Sequence, residues 1–262
     1  TAIGLSKQGL IPIVDTFAQF AITKGSLPLI MAGLSEAPVI GVFSHTGFQD
    51  AADGASHQAT TYFAALSSIP HIKIINLSCA SEAENLVYSA IIKFKEKRDK
   101  GEIPDSVIFF LGRENHPISY GENPSYPWKK AQVLTKGSAA TIVTSGVLLE
   151  KALKVSETLK KENIHVTVIN HPFVNIIDTE TITASLKETA GRLITLEDHQ
   201  LIGGQGAQIV HALVISGVAI NKYIGLAVKG EFGQSAYTAN ELYKKHGLDE
   251  TALINAVHSI CL

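Results

Sequence analysis

The feature that most constrains the fold of this chain is an alternation of short β-rich runs with helical patterns along almost its whole length. Eight apolar runs predict strands, and amphipathic segments separate them. The predicted strands span residues 10–14, 39–44, 72–77, 107–111, 141–144, 166–170, 192–196 and 223–227. This alternation is typical of parallel βαβ units, so the sequence predicts an α/β fold.

Residues 81–97 show the helical pattern most clearly. Leu86, Ala90 and Phe94 recur at helical spacing, which predicts a buried face, and Glu82 is expected on the opposite, solvent-facing side. The mixed charge run at residues 95–100 is typical of a solvated helix end. The predicted strands are nearly continuous apolar runs, so we expect each sheet to be covered on both faces.

A stretch rich in proline, glycine and aromatic residues at 115–130 interrupts the alternation. We place a domain boundary there, which divides the chain into a first domain at residues 1–126 and a second at residues 127–262. The 262 residues suit two domains of ordinary size. We therefore expect two α/β domains, each with a mainly parallel sheet and helices on both faces.

Charge and composition exclude several classes of partner. The chain has 22 basic and 24 acidic side chains, so no basic face is expected to attract nucleic acid or an anionic membrane. The most apolar stretch, residues 27–43, is shorter than the roughly 20 apolar residues that span a bilayer. Two cysteines are too few for a disulfide scaffold and predict a cytoplasmic protein.

Polar residues collect in loops that follow predicted strands, where open α/β sheets place their sites. The loop at residues 44–58 carries His45, Asp53 and His57 among small residues, and Ser56 is expected to cap a helix that begins at His57. Imidazoles beside a carboxylate suit proton transfer or hydrogen bonds to sugar hydroxyls. Surface or capping histidines are the alternative. The spacing lacks the paired ligands of a structural zinc site, so no metal site is expected.

Arg113 follows an apolar strand directly, so its guanidinium is expected at the same edge of the sheet as His45 and His57. A planar fork of donors suits a phosphate or a carboxylate. The alternative is an ion pair with Glu114 or Glu122.

Two further patterns have ordinary structural explanations. Phe17 and Phe20 are three residues apart at the start of a predicted helix, a spacing typical of core side chains. The glycines at 203, 204 and 206 lack the lysine and hydroxyl residue of a phosphate-binding P-loop. They predict a flexible start to a helix.

Taken together in their order, these motifs resemble the transketolase family, specifically its pyrimidine-binding and C-terminal domains. The resemblance covers almost the whole chain. Its motifs are GLIP at 9–12, TFAQF at 16–20, His45, DGASHQ at 53–58, GREN at 112–115, TLEDH at 195–199 and EFGQS at 231–235.

The resemblance implies a thiamine diphosphate cofactor, held with magnesium or calcium. Phe17 and Phe20 would enclose its aminopyrimidine ring, a role that revises their assignment as core residues. The diphosphate and metal would be held by a domain absent from this sequence. The family's catalytic glutamate is expected upstream of Gly4, so the chain begins too late to contain it.

The resemblance also implies the substrate contacts. His45 and Arg113 would hold a sugar phosphate, Asp53 and His57 would hydrogen-bond sugar hydroxyls, and His57 would be the catalytic residue of this chain. Ala55 stands where the family has proline in this loop.

The function so implied is that of the C-terminal part of a transketolase, which moves two-carbon units between sugar phosphates of pentose phosphate metabolism. Alone, the chain is expected to be inactive. Its expected partners are the diphosphate-binding half and a second copy of itself, docked around Leu29, Ile30 and Leu34. Deoxyxylulose-phosphate synthase and a 2-oxo-acid dehydrogenase β subunit are alternatives, and Arg113 with Asn115 favours transketolase over the latter. A non-catalytic interaction subunit that kept the fold is a further alternative.

Overall fold

A computed structural model of the chain describes residues 1–121 and 124–262. In order, the first part contains α1 (Ala2–Lys7), β1 (Ile13–Phe17), α2 (Ala18–Leu34), β2 (Ile40–Ser44), α3 (Tyr62–Ser67), β3 (Ile72–Asn76), α4 (Ala80–Asp99) and β4 (Ser106–Phe110). The second part contains β5 (Gln132–Thr135), β6 (Thr141–Thr144), a 3-10 turn (Gly146–Leu148), α5 (Leu149–Lys160), β7 (Thr167–Asn170), α6 (Thr179–Glu188), β8 (Arg192–Gln200), α7 (Gln205–Ile215), β9 (Lys222–Val228), α8 (Ala239–Lys245) and α9 (Glu250–Cys261).

The first sheet is entirely parallel, with strand order β1-β2-β4-β3. Neighbouring residues of one strand point to opposite faces, so each apolar run fills two cores. In β3, Ile74 packs with side chains of α2 and α3, whereas Ile75 packs with side chains of α4. Helices therefore cover both faces, as predicted.

The second sheet has strand order β5-β7-β6-β8-β9 and is parallel except for β5, which runs antiparallel to β7. The predicted α/β fold with two mainly parallel sheets is confirmed. Strand β5 was missed because its four residues are partly exposed at a sheet edge and carry no continuous apolar run. The predicted boundary between residues 126 and 127 falls inside the segment that joins β4 to β5.

Helix α4 buries Leu86, Ala90 and Phe94, as predicted, but the expectation for Glu82 was wrong. Its carboxylate is completely buried and accepts hydrogen bonds from the backbone N–H and hydroxyl of Ser78, each at 2.7 Å. It also accepts one from Nδ2 of Asn170, in β7, at 2.7 Å. Helical periodicity did not reveal this burial because the covering residue belongs to the other sheet.

The segment after β7 packs directly against the first sheet. The backbone N–H of Asn76 donates to the carbonyl of Pro172 at 2.8 Å, and Phe173 forms an isolated bridge with Ile75. Phe173 also lies in the same apolar cluster as α4. The two sheets are therefore joined by an apolar, hydrogen-bonded interface. Within residues 1–121 and 124–262, every helix is too short or too polar to cross a bilayer.

Candidate active site

Four residues predicted from the sequence meet at the carboxyl edge of the first sheet. The ring of Phe17 stacks on His45 with 3.7 Å between centroids and lies nearly parallel to Phe20 at 5.8 Å. The ring of His57 meets Phe20 edge-on at 5.2 Å. We call Phe17, Phe20, His45 and His57 the aromatic cluster. His45 and His57 were expected at this edge from the loop in which both lie, whereas Phe17 and Phe20 were placed at the site only by the family resemblance.

Strand pairing explains how the cluster assembles. Phe17 and Ser44 are partners at the carboxyl ends of β1 and β2, so the residues that follow these strands emerge side by side. His45 then adopts a φ of 62°, a left-handed backbone conformation that is uncommon in residues other than glycine. Such strain persists only where the surrounding structure enforces it, and it often marks functional sites.

Both histidines of the cluster are oriented by the serine that precedes them. The hydroxyl of Ser44 lies 2.7 Å from Nδ1 of His45, and the hydroxyl of Ser56 lies 3.0 Å from Nδ1 of His57. In each ring Nε2 therefore remains for another partner. The predicted Ser56 cap was wrong: residues 51–57 form turns, and the next helix, α3, begins at Tyr62.

The second domain holds this loop in place. Nε2 of Gln58 donates to the carbonyl of Gln234 at 2.9 Å, and the backbone N–H of Ala236 donates to the carbonyl of Ala51 at 3.0 Å. These bonds tie the site loop, at both of its ends, to the segment between β9 and α8.

Arg113 pairs with Asp50, which sequence reasoning missed. The guanidinium Nη1 lies 3.3 Å from the Asp50 carboxylate; the Asp50 side chain is 1% exposed, whereas that of Arg113 is 51% exposed. The alternative interpretation of Arg113 as an ion-pair residue was right in kind, but the partner is Asp50 and not Glu114. The backbone N–H groups of Glu114 and Arg113 both donate to Oε1 of Gln49. The other expected partner, Glu122, lies outside the described residues. Arg113 keeps exposed donors that point to solvent or a ligand.

The pKa of His45 is affected by burial and by four neighbouring titratable groups. Burial lowers its pKa, the charges of Asp50 and Asp53 oppose that shift, and those of Arg113 and His57 add to it. His45 is therefore held mainly neutral at neutral pH, with both a donor and an acceptor nitrogen. Asp53 lies exposed on the loop near this ring.

The aromatic cluster offers a face to a flat ring, not a slot. A ring held between two others needs about 7 Å between their centroids, twice the van der Waals contact distance, and Phe17 and Phe20 are 5.8 Å apart. Phe20 is 38% exposed, so its free surface suits stacking. In residues 1–121 and 124–262 there is no group of three or more His, Cys, Asp or Glu side chains placed to hold a metal ion.

A second polar group lies buried beside the site, between the two domains. Asp198, in β8, accepts hydrogen bonds from the hydroxyl of Tyr62 at 2.9 Å and from that of Tyr243 at 3.3 Å. Burial raises its pKa to about 6. A Cβ atom at Gly47 would lie 1.9 Å from its carboxylate, so the site loop approaches it without intervening space. We call Glu197, Asp198, Tyr62 and Tyr243 the buried acidic cluster.

Glu197 fixes the start of α7. Its carboxylate accepts hydrogen bonds from the backbone N–H groups of Gln205 and Gly206, and burial raises its pKa to about 8. The helix start predicted at the glycine-rich segment is confirmed, but the expectation of flexibility was wrong, because Gly204, Gln205 and Gly206 are buried.

Two family models match the chain in succession. "Transketolase, pyrimidine binding domain" matches residues 1–117, and "Transketolase, C-terminal domain" matches residues 129–253. The chain belongs to the transketolase family. The resemblance carried by the sequence motifs is thereby confirmed at the level of both domains.

The transketolase-family chain also resembles full-length relatives and a solved structure. It is 28% identical to 1-deoxy-D-xylulose-5-phosphate synthase of Clostridium tetani, with 98% of this chain and 39% of that protein covered. It is 30% identical to transketolase of Mus musculus, with 95% of this chain and 38% of that protein covered. A solved "Split gene transketolase, inactive beta4 tetramer" is 27% identical, with a TM-score of 0.80 and coverage of 99% and 79%. The chain thus spans about two-fifths of the length of these two full-length relatives.

Proposed function

We propose that this chain supplies the sugar-facing half of a thiamine-diphosphate-dependent transketolase that transfers two-carbon ketol units between sugar phosphates in the cytoplasm. The observation that carries the proposal is the convergence of Phe17, Phe20, His45 and His57 at one sheet edge, beside the half-exposed Arg113. Aromatic faces suit the pyrimidine ring, and a guanidinium suits the phosphate.

The proposed roles follow the geometry of each side chain. When bound, thiamine diphosphate supplies the carbanion chemistry, and Phe20 with Phe17 behind it forms an aromatic wall for its pyrimidine. The family resemblance gives these residues as an enclosing pair. The 5.8 Å between their rings favours stacking on the outer face of Phe20 instead.

The two histidines act on the substrate through Nε2, because Nδ1 of each is engaged by a serine. His57 exchanges a proton with a sugar hydroxyl and is the proposed catalytic residue of this chain. Asp53 accepts a hydrogen bond from a neighbouring hydroxyl. Neutral His45 donates to a phosphate oxygen, and Arg113 supplies the charge that holds the phosphate.

A complete site requires a diphosphate-binding half that brings the ligands of magnesium or calcium. The split-gene relative supports an assembly in which such halves are separate chains. We also propose a homodimer in which the α2 face docks. Leu34 on that face is 73% exposed and Ile30 is 40% exposed, whereas Leu29 is 6% exposed and packs in the core. The docking surface thus includes Ile30 and Leu34 but not Leu29.

Sedimentation analysis tests the dimer. We expect a concentration-dependent dimer that Leu34→Glu weakens, and a monomer at micromolar concentration would contradict it.

The similarity to the Clostridium tetani synthase supports a second candidate function, synthesis of 1-deoxy-D-xylulose 5-phosphate. The name of that enzyme describes formation of 1-deoxy-D-xylulose 5-phosphate, which also carries a phosphate for Arg113 to hold. The two activities differ in whether the donor is a ketose phosphate or pyruvate.

The decisive experiment combines this chain with a diphosphate-binding half, thiamine diphosphate and magnesium. We expect transfer of a two-carbon unit from xylulose 5-phosphate to ribose 5-phosphate, and no activity from this chain alone. Condensation of pyruvate with glyceraldehyde 3-phosphate, without ketol transfer, would assign the synthase activity instead. His57→Ala in the assembled enzyme should lower kcat, and an unchanged kcat would remove its catalytic role.

A further inference from the structure

A lysine-lined cavity of about 380 Å³ lies at the end of the first sheet opposite the aromatic cluster. It opens beside the amino ends of β3 and β4, the last turns of α4 and the segment that leads to β5. Its lining includes Trp128 and five lysines, which we call the lysine pocket: Lys73, Lys93, Lys97, Lys100 and Lys129. Part of the charge run expected to be solvated thus lines a cavity.

Positive charge is in excess in this pocket. Five ammonium groups face three lining carboxylates, those of Glu96, Glu102 and Asp105. Asp105 is already shared, because it pairs with Lys73 and lies 3.9 Å from Nζ of Lys97. It also lies 3.5 Å from Nδ1 of His71.

The lysines are crowded against one another. Burial, together with the charges of Lys129 and Lys97, lowers the pKa of Lys73 to about 8. By contrast, Lys95, Lys154 and Lys160 each pair with a carboxylate on their own helix, the usual arrangement for surface lysines. The lining carboxylates offset only part of this repulsion, and an anion bound between the lysines would offset the remainder.

The backbone at Lys129 and the aromatic contacts of Trp128 also indicate that this pocket has a defined shape. Lys129 adopts a φ of 63°, so a strained conformation is maintained where its side chain reaches the cavity. Nζ of Lys93 lies 5.7 Å from the centre of the Trp128 ring, a cation–π contact at the cavity wall. Trp128 is held from the other side by an edge-on contact with Phe173 at 5.2 Å.

We propose that the lysine pocket binds a small anion with two or more phosphate groups, at a site separate from the candidate active site. Several ammonium groups around one cavity act as point charges for phosphate oxygens, and the volume is in the range of small-molecule sites. Inorganic pyrophosphate and a nucleoside diphosphate present the same diphosphate, so both are probes for this chemistry.

Trp128 is the single tryptophan of the chain and therefore reports directly on the pocket. Titration of the full chain at low salt with inorganic pyrophosphate should change its fluorescence saturably, with half-saturation below about 1 mM. Inorganic phosphate should bind more weakly, and added salt should weaken both. Adenosine diphosphate that matches pyrophosphate would assign recognition to the phosphates alone. Tighter binding of the nucleotide would add a contact to its base.

Variants identify the lysines responsible. Lys97→Gln and Lys129→Gln should each raise the half-saturating pyrophosphate concentration about ten-fold, the expected effect of one lost charge-assisted contact. Lys154→Gln and Lys160→Gln on α5 are matched controls that should leave it unchanged. If the fluorescence of Trp128 does not change on binding, calorimetric titration measures the binding instead. Circular dichroism checks that each variant is folded.

The proposal is overturned if neither method detects saturable binding up to about 10 mM pyrophosphate, weaker than ordinary specific binding. Equal losses in the pocket and control variants would also overturn it. None of these measurements needs thiamine diphosphate, a partner half or turnover, so their outcome is independent of the proposed transferase activity.

Discussion

The aromatic cluster and the buried acidic cluster each combine aromatic rings with titratable groups, yet they differ in burial. His45 and His57 keep Nε2 directed away from their serine partners, and Asp53 is exposed. Asp198 has both carboxylate oxygens engaged by tyrosine hydroxyls and is fully enclosed. The difference teaches that polar groups left without a protein partner are open to a ligand, whereas polar groups whose partners come from the other domain hold the two domains together.

The largest expected effect is the loss of Asp198. Asp198→Ala leaves the hydroxyls of Tyr62 and Tyr243 buried without this acceptor, so we expect a loss of about 4 kcal/mol in the free energy of unfolding. Urea denaturation followed by circular dichroism measures it. Asp53→Ala is the matched control at the exposed site, where a change within about 0.5 kcal/mol is expected. Similar costs for the two variants would erase the distinction between the clusters.

The second-largest effect is expected at Gly47, where the site loop approaches the buried acidic cluster. At Gly47, φ is +55° and an added Cβ would meet the Asp198 carboxylate at 1.9 Å. Overpacking and backbone strain together should make Gly47→Ala about 3 kcal/mol less stable. Gly217→Ala isolates the strain, because φ is +72° there and nothing lies within 4 Å of the added atom. If the two variants unfold at the same denaturant concentration, the close approach has no energetic importance.

Substitution of Arg113 tests the exposed candidate active site rather than the buried acidic cluster. In the assembled enzyme, Arg113→Ala should weaken phosphorylated donors by about 2 kcal/mol, seen as a higher KM. Unphosphorylated hydroxypyruvate should be affected much less. Arg113→Lys keeps a cation beside the buried Asp50 and separates the phosphate contact from the structural pair. Equal losses for both donors would reassign Arg113 to the ion pair.

The smallest effect is a pH dependence from Glu197. Its folded-state pKa of about 8 lies above the ordinary value of 4.5, so its stabilising contribution is complete below about pH 4.5 and is lost as the pH rises through 8. The buried His171 and His199, with pKa values near 4, and Asp198, with a pKa of about 6, titrate mainly below about pH 6.5. Lys73, with a pKa of about 8, contributes equally to the wild-type chain and to a Glu197 variant, so a comparison of the two isolates Glu197.

Glu197→Gln should remove this dependence. Relative to the variant, the wild-type chain should lose at most about 1.4 kcal/mol of unfolding free energy per pH unit between about pH 6.5 and 8. Denaturation series at pH 6.5, 7.2 and 8.0 measure the difference. Parallel pH profiles would mean that Glu197 does not change its protonation there.

Much of the fold and part of the site were accessible from the sequence, for identifiable reasons. Seven of the eight predicted strands overlap closely with observed ones, while the first, at residues 10–14, was placed early because Leu10 and Ile11 precede β1. His45, His57 and Arg113 were expected together because the loops that carry them follow strands of one parallel sheet. Phe17 and Phe20 joined this set only through the family resemblance.

Three buried acidic residues, Asp50, Glu82 and Glu197, share one reason for escaping prediction. Only Glu82 was expected to face solvent, and each of the three is buried by contacts outside its own element. Asp50 pairs with Arg113, Glu82 with Asn170, and Glu197 with the start of α7. A periodicity reports which side of an element is apolar and carries no information about what will cover its polar side.

The sequence by itself determined the α/β alternation, the buried face of α4 and the meeting of His45, His57 and Arg113 at the carboxyl edge of the first sheet. Those features depend on local periodicity and on the common direction of parallel strands. Only the tertiary structure decided that Asp198 is enclosed by two tyrosines and that the loop at 51–57 forms turns. Docking of one domain on the other removes these groups from water, and burial changes both their pKa values and their partners.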